Sequence, residues 1–109
     1  MRIGLVLVLT CIAANAVGAD VPAEMKSMNT KLCIDATAVV DPQAPKDKAQ
    51  IPKYCECVTD SYWASVPQSE YEGMIAESRR GIEGPETRKM DGQLDARMKA
   101  AQKKCKASN

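Results

Sequence analysis

Apolar residues recur at three- and four-residue steps along most of this chain, and two-residue alternation is nearly absent, so the pattern predicts helices rather than strands. From Pro22 to about Val40, Met25, Met28, Leu32, Ala36 and Val39 share one face of a helical period, which predicts an amphipathic helix with that stripe turned inward. Asp41-Pro42 ends it. The segment Asp41 to Pro52 contains prolines at 42, 45 and 52 and no apolar period, the signature of an irregular connector. A second helix opens at Pro52, a residue suited to a first turn, and runs to about Ser65 with Cys55, Val58, Tyr62 and Val66 on one stripe.

Pro67 stops that helix, and Ser69 followed by Glu72 has the spacing of a capping box opening a third, Ser69 to Arg80, with Tyr71, Met74 and Ile75 inside. Gly81 to Pro85 reads as a turn. The last helix, Glu86 to Lys104, carries the cleanest stripe: Met90, Leu94, Met98, Ala101 and Cys105. Gly92 interrupts it at a cost of about 1 kcal/mol against Ala. The expected fold is all-α, a small four-helix array with short connections.

The first nineteen positions differ in kind. Arg2 precedes an apolar run from Ile3 to Leu9 that weakens through Ala14 and closes on Val17-Gly18-Ala19, the layout of a secretory signal peptide cleaved before Asp20. The strongly apolar part is shorter than the ~20 residues that span a bilayer, so no transmembrane segment is expected once the leader is removed. Residues 20–109 then form a single domain with a periplasmic or secreted address.

That division changes the chemistry. Cys11 leaves with the leader, and of five cysteines Cys33, Cys55, Cys57 and Cys105 remain, an even number in an exported chain. The fifteen basic and fourteen acidic residues become equal once Arg2 is lost, so no global field draws the protein to nucleic acid. The domain has no Phe and one Trp, a core too thin to be secure at this length. Two disulfides are therefore expected as staples.

The stretch Tyr54-Cys55-Glu56-Cys57 sits in the first turns of the second helix. Two helical residues differ by about 200° of rotation, so Cys55 and Cys57 point to opposite sides and do not bond each other. Each must reach a neighbouring helix, one to Cys33 and the other to Cys105. Both remaining pairings stay open; membership of the apolar stripes favours Cys55–Cys105 with Cys33–Cys57. Closing loops of about 20 and about 50 residues stabilises by roughly 3 to 4 kcal/mol each in the chain-entropy description.

Other chemistries are weaker. The chain has no histidine, so Ser-His and Cys-His nucleophile systems are excluded, and no glycine-rich phosphate loop is present. No enzyme activity and no cofactor are expected. Glu70, Glu72, Glu77 and Glu83, on or near the third helix, read as a solvated face. A Cu(I) site or a disulfide-exchange centre at Cys55 and Cys57 is the alternative reading, since soft thiolate and thioether ligands select that ion and a helix start lowers a thiol pKa. Against it, Met25, Met28, Met74, Met90 and Met98 all fall on apolar stripes, where packing is the commoner job.

From Arg97 onward every charged residue is basic: Arg97, Lys99, Lys103, Lys104 and Lys106. Complementing the helix dipole explains them, and a patch meeting an anionic partner is the sharper reading. The arrangement of Cys33, Tyr54-Cys55-Glu56-Cys57 and Cys105 resembles a loose group of small exported bacterial helical proteins. That resemblance implies a disulfide-stapled helical fold in the cell envelope and no activity. The expected function is a non-enzymatic module that binds a protein of the envelope or extracellular space, as an accessory subunit or an inhibitor or immunity-type factor; a small stress chaperone is a further reading.

Overall fold

The computed structural model describes residues 18–108. The expected leader, with Arg2 and Cys11, lies outside the described residues, apart from Gly18 and Ala19. Four α-helices follow in chain order: α1 (Ala23–Val40), α2 (Ile51–Ala64), α3 (Gln68–Arg79) and α4 (Pro85–Ser108), with a short 3-10 turn at Lys48–Gln50. Among the described residues there are no strands. The described residues form the all-α, four-helix array that the periodicity predicts, with the two disulfides expected from the even cysteine count.

The central element is α2. On one side it carries α1 and on the other α4, while α3 packs on α4. Its buried face presents Tyr54, Cys55, Val58 and Tyr62, and Val66 just beyond it is fully enclosed. Trp63 meets Tyr62 and Tyr71 edge-on, with ring centroids 5.0 and 5.6 Å apart. These edge-to-face contacts supply much of the bulk that a core without Phe lacks. Ala19 and Val21 are buried too, and the Ala19 amide donates to the Trp63 carbonyl at 3.0 Å. The expected cleavage point before Asp20 therefore lies in a segment packed on the end of α2.

Element ends follow local chemistry. After α1 the Asp41 carboxylate accepts from the Gln43 amide (2.8 Å) and the Tyr54 hydroxyl (2.6 Å), which pins the connector to α2. Asp47 caps the 3-10 turn by accepting from the Ala49 amide at 3.0 Å, and Pro52 occupies the first turn of α2 as expected. The Ser65 hydroxyl closes back on the Tyr62 carbonyl at 2.6 Å. The expected capping box does not form. α3 begins earlier, after an extended Pro67, so Ser69 already lies within the helix; Gln68 bonds Glu72 instead, at 2.9 Å. At the other end Gly81 adopts φ 72°, and the amides of Gly81 and Ile82 return to the carbonyls of Ser78 and Glu77 in a Schellman closure.

The start of α4 is capped from a different helix. Glu77 of α3, only 4% exposed, accepts from the amides of Gly84 (3.0 Å), Glu86 (2.9 Å) and Thr87 (2.8 Å) and from the Thr87 hydroxyl (2.7 Å). Burial alone would raise this carboxyl, but the Thr87 hydroxyl and the three amides outweigh it and hold the pKa at about 2. A Cβ at 84 would stand 2.6 Å from the Glu77 carboxylate, so glycine there lets the cap close without displacing it. The reading of Glu70 and Glu77 as solvated is thus corrected: both are buried.

The disulfides join Cys33 to Cys55 and Cys57 to Cys105. Cys55 and Cys57 do face opposite sides, as their helical phase requires. The preference for Cys55–Cys105 is overturned. It rested on Cys55 and Cys105 sharing apolar stripes, whereas the buried side of α2 at Cys55 faces α1, and Cys57 lies toward α4.

Candidate functional site

Among the described residues, α1 meets the other helices only through α2. The interface is held by the Cys33–Cys55 bridge, a Thr30–Thr59 hydroxyl bond (3.1 Å), the Trp63 indole donating to the Asn29 side-chain oxygen (3.0 Å), and a Lys26–Asp60 ion pair (3.5 Å). Among the described residues, no helix covers the flank of α1 that looks toward α4. In consequence Leu32 is 59% exposed and Leu94 of α4 45% exposed; Met28, outside the groove lining, is 62% exposed. The expectation that the Met28–Leu32 stripe turns inward is corrected. In α1 the described side chains end at Ala36, so Val39 of the expected stripe lies outside them.

The two uncovered stripes face each other across a groove of about 520 Å³ floored by α2. Leu32 and Ala36 form one wall, Leu94 and Met98 the other, and Val58, Tyr62 and Trp63 the floor. Met74 of α3 and Met90 of α4 close one end. Large apolar side chains left open in a concave, largely preformed site are the usual mark of a binding surface rather than of a monomer's exterior. The volume is within the range of ligand and peptide clefts.

The polar groups lining the groove are few and not catalytic in arrangement. Burial raises the Tyr62 phenol, with Asp91 and Glu70 pushing the same way against Arg97; burial and the hydrogen bond to Asp41 raise Tyr54. Both phenols stay protonated at neutral pH; Tyr54, which does not line the groove, donates to Asp41. Among the described residues no three Cys, Asp or Glu side chains gather as metal ligands would. With both bridges closed, neither Cys55 nor Cys57 presents a thiolate for Cu(I) or for disulfide exchange.

The basic end of α4 is less uniform than its sequence. Arg97 turns inward, 14% exposed, to pair with the buried Glu70 at 3.1 Å, while Lys89 approaches the same carboxylate at 3.8 Å. Its Nη1 is buried without a hydrogen-bond acceptor among the described residues. Lys99 is exposed and bonded to Asp95 one turn back, at 3.2 Å. Lys103, Lys104 and Lys106 are exposed, so the surface part of the cluster is these three with Lys99.

Neither the groove nor the inward turn of Arg97 has a local signature. Stripe membership identified Leu32 and Leu94 as apolar-face residues but could not say that no partner helix covers them. Among the described residues, no helix is long and apolar enough to cross a membrane. Comparison of the chain with protein-family models, with curated proteins and with solved structures returns no match in any of the three.

Proposed function

We propose that the protein is an exported, non-enzymatic binding module of the bacterial envelope or its surroundings that holds a partner protein in the groove between α1 and α4. The observation that carries this reading is the pair of facing, uncovered apolar stripes, with Leu32 and Leu94 at their centres. Two disulfides fit a compartment where thiols oxidise. They also fit the use of a rigid frame: α1, which has no other helical neighbour among the described residues, is locked to α2 by a covalent bond, so the groove keeps its width without a ligand. A preformed site of this kind binds with less loss of conformational freedom than one that must be assembled.

Leu32→Glu combined with Leu94→Glu tests the reading, since both side chains are exposed and their replacement leaves the core intact. The double variant is expected to melt within a degree or two of the parent and to lose a partner that the parent retains from an envelope extract. Equal retention by both proteins would remove the groove from the function. A count of free thiols in protein taken from the oxidising compartment separates this reading from a thiol-based one: zero is expected, and two or more would favour thiol chemistry at Cys55 and Cys57.

A further inference from the structure

Resting on the groove as the binding site, we infer that its occupant is an amphipathic helix of about three turns bearing a basic residue where it passes Asp91. Length comes first. α2 runs antiparallel to both walls: its end meets the first half of α1 through Trp63 and Asn29, its start meets Asp41 through Tyr54, and Cys57 ties that start to Cys105 at the end of α4. The groove therefore has two defined ends, Asn29, Met90 and Asp91 at one, Asp41 and Gln102 at the other. From Asp91 to Gln102, α4 rises ~16 Å at 1.5 Å per residue, the length of about eleven helical residues.

The form of the occupant follows from the walls. Walls and floor are all helical, with their backbone groups paired within each helix, so an extended peptide would find no strand edge on which to add its own hydrogen bonds. A helix satisfies its backbone internally and needs only an apolar stripe to lay into the groove. Met74, Met90 and Met98 line that path, and their unbranched side chains adapt to the knobs of such a stripe.

Charge then sets the orientation. Among the described residues, Asp41 and Asp91 are the only charged side chains lining the groove, and no cation lines it. The two ends are unequal. Asp41 already accepts from the Tyr54 hydroxyl and the Gln43 amide, and Lys106 stands against the connector at Pro42 and Gln43 beyond that end. Asp91 is exposed, and the nearest lysine of the basic cluster, Lys99, is held by Asp95. A basic residue on the occupant is thus favoured at the Asp91 end and gains little at the other.

Trp63 is the single tryptophan of the chain and lines the groove, so its fluorescence reports occupancy. The probes are synthetic helices of about fourteen residues with leucine at every third or fourth position, Ala and Gln elsewhere, and Lys, Glu or Gln at both ends. Titrated into the full chain at low salt, the Lys-ended helix is expected to bind about tenfold more tightly than the Glu-ended one, with the gap closing toward 1 M salt. Asp91→Lys is expected to reverse that order, and Leu94→Glu, with its fold checked by circular dichroism, to abolish binding of all three.

Equal binding of the three helices to the parent, lost with Leu94→Glu, would overturn the charge selection while leaving the groove as the binding site. Binding of anilinonaphthalene sulfonate but of no helix, again lost with Leu94→Glu, would overturn the helical occupant and leave a site for small apolar molecules. A dimer in sedimentation equilibrium that Leu94→Glu dissociates would give the groove to a second copy and overturn the inference. Indifference of both helices and dye to Leu94→Glu would bring down the groove reading itself.

Discussion

Glu77 shows how much one side chain can settle here. A carboxylate with four donors is stabilised in its charged form, so its folded pKa, about 2, lies below the ordinary value of 4.5. Because the folded value is the lower one, its contribution to stability is complete above about pH 4.5 and declines as pH falls toward 2. Glu77→Gln is expected to lower the melting temperature at neutral pH and to flatten its dependence between those limits, the two proteins converging near pH 2. Thermal melts at several pH values check it; parallel curves would mean that Glu77 does not titrate as its geometry requires. Arg97 makes a second case. Arg97→Gln leaves Glu70 buried beside Lys89 alone and is expected to cost about 2–3 kcal/mol, less than a fully buried pair because Nη1 is unpaired. Lys99→Gln, which breaks an exposed pair, should shift stability by less than about 0.5 kcal/mol. Equal effects of the two would return Arg97 to the surface cluster. At Gly92 a Cβ meets nothing within 4 Å, so Gly92→Ala is expected to raise stability by up to about 1 kcal/mol in chemical denaturation.

Among the elements, α1 and α4 contrast. α4 is held by α2, by α3, by the Glu77 cap and by the Cys57–Cys105 bond, whereas among the described residues α1 has α2 as its only helical neighbour. Replacing Cys33 and Cys55 together by serine should therefore raise amide exchange along α1 far more than in α2, α3 or α4, a local opening rather than a global one. Uniform loss of protection would show that α1 is not a separable unit. Removing the other bridge through Cys105→Ser is expected to cost about 2–5 kcal/mol and to loosen the whole array. The helices themselves were legible in the chain, because each carries a stripe or a stop: Asp41-Pro42, Pro67 and Gly81 all mark ends within three residues. The capping box at Ser69 failed because Pro67, already extended, starts α3 first, and a local spacing cannot tell which of two adjacent start signals acts.

For the molecule as a whole, a core this small makes the bridges decisive. Each is worth roughly 3 to 4 kcal/mol in the chain-entropy description, against a total of about 5–15 kcal/mol for a domain. Reduction with dithiothreitol is expected to abolish the cooperative thermal transition or bring it close to room temperature, read by far-ultraviolet circular dichroism; an unchanged transition would show that packing alone suffices. By itself the sequence determined the four helices among the described residues, most of their ends, the presence of two staples and the divergence of Cys55 from Cys57, since periodicity, proline and helical phase are properties of neighbouring residues; the last helix runs on to Ser108, four residues past the expected Lys104. Which cysteine meets which, that Glu77 caps a helix other than its own, that Arg97 turns inward, and that Leu32 and Leu94 face an open groove were decided only by tertiary structure. A stripe records that a face is apolar. Whether another helix, a partner or water lies against it depends on the order in which distant elements pack around α2, which no local pattern encodes.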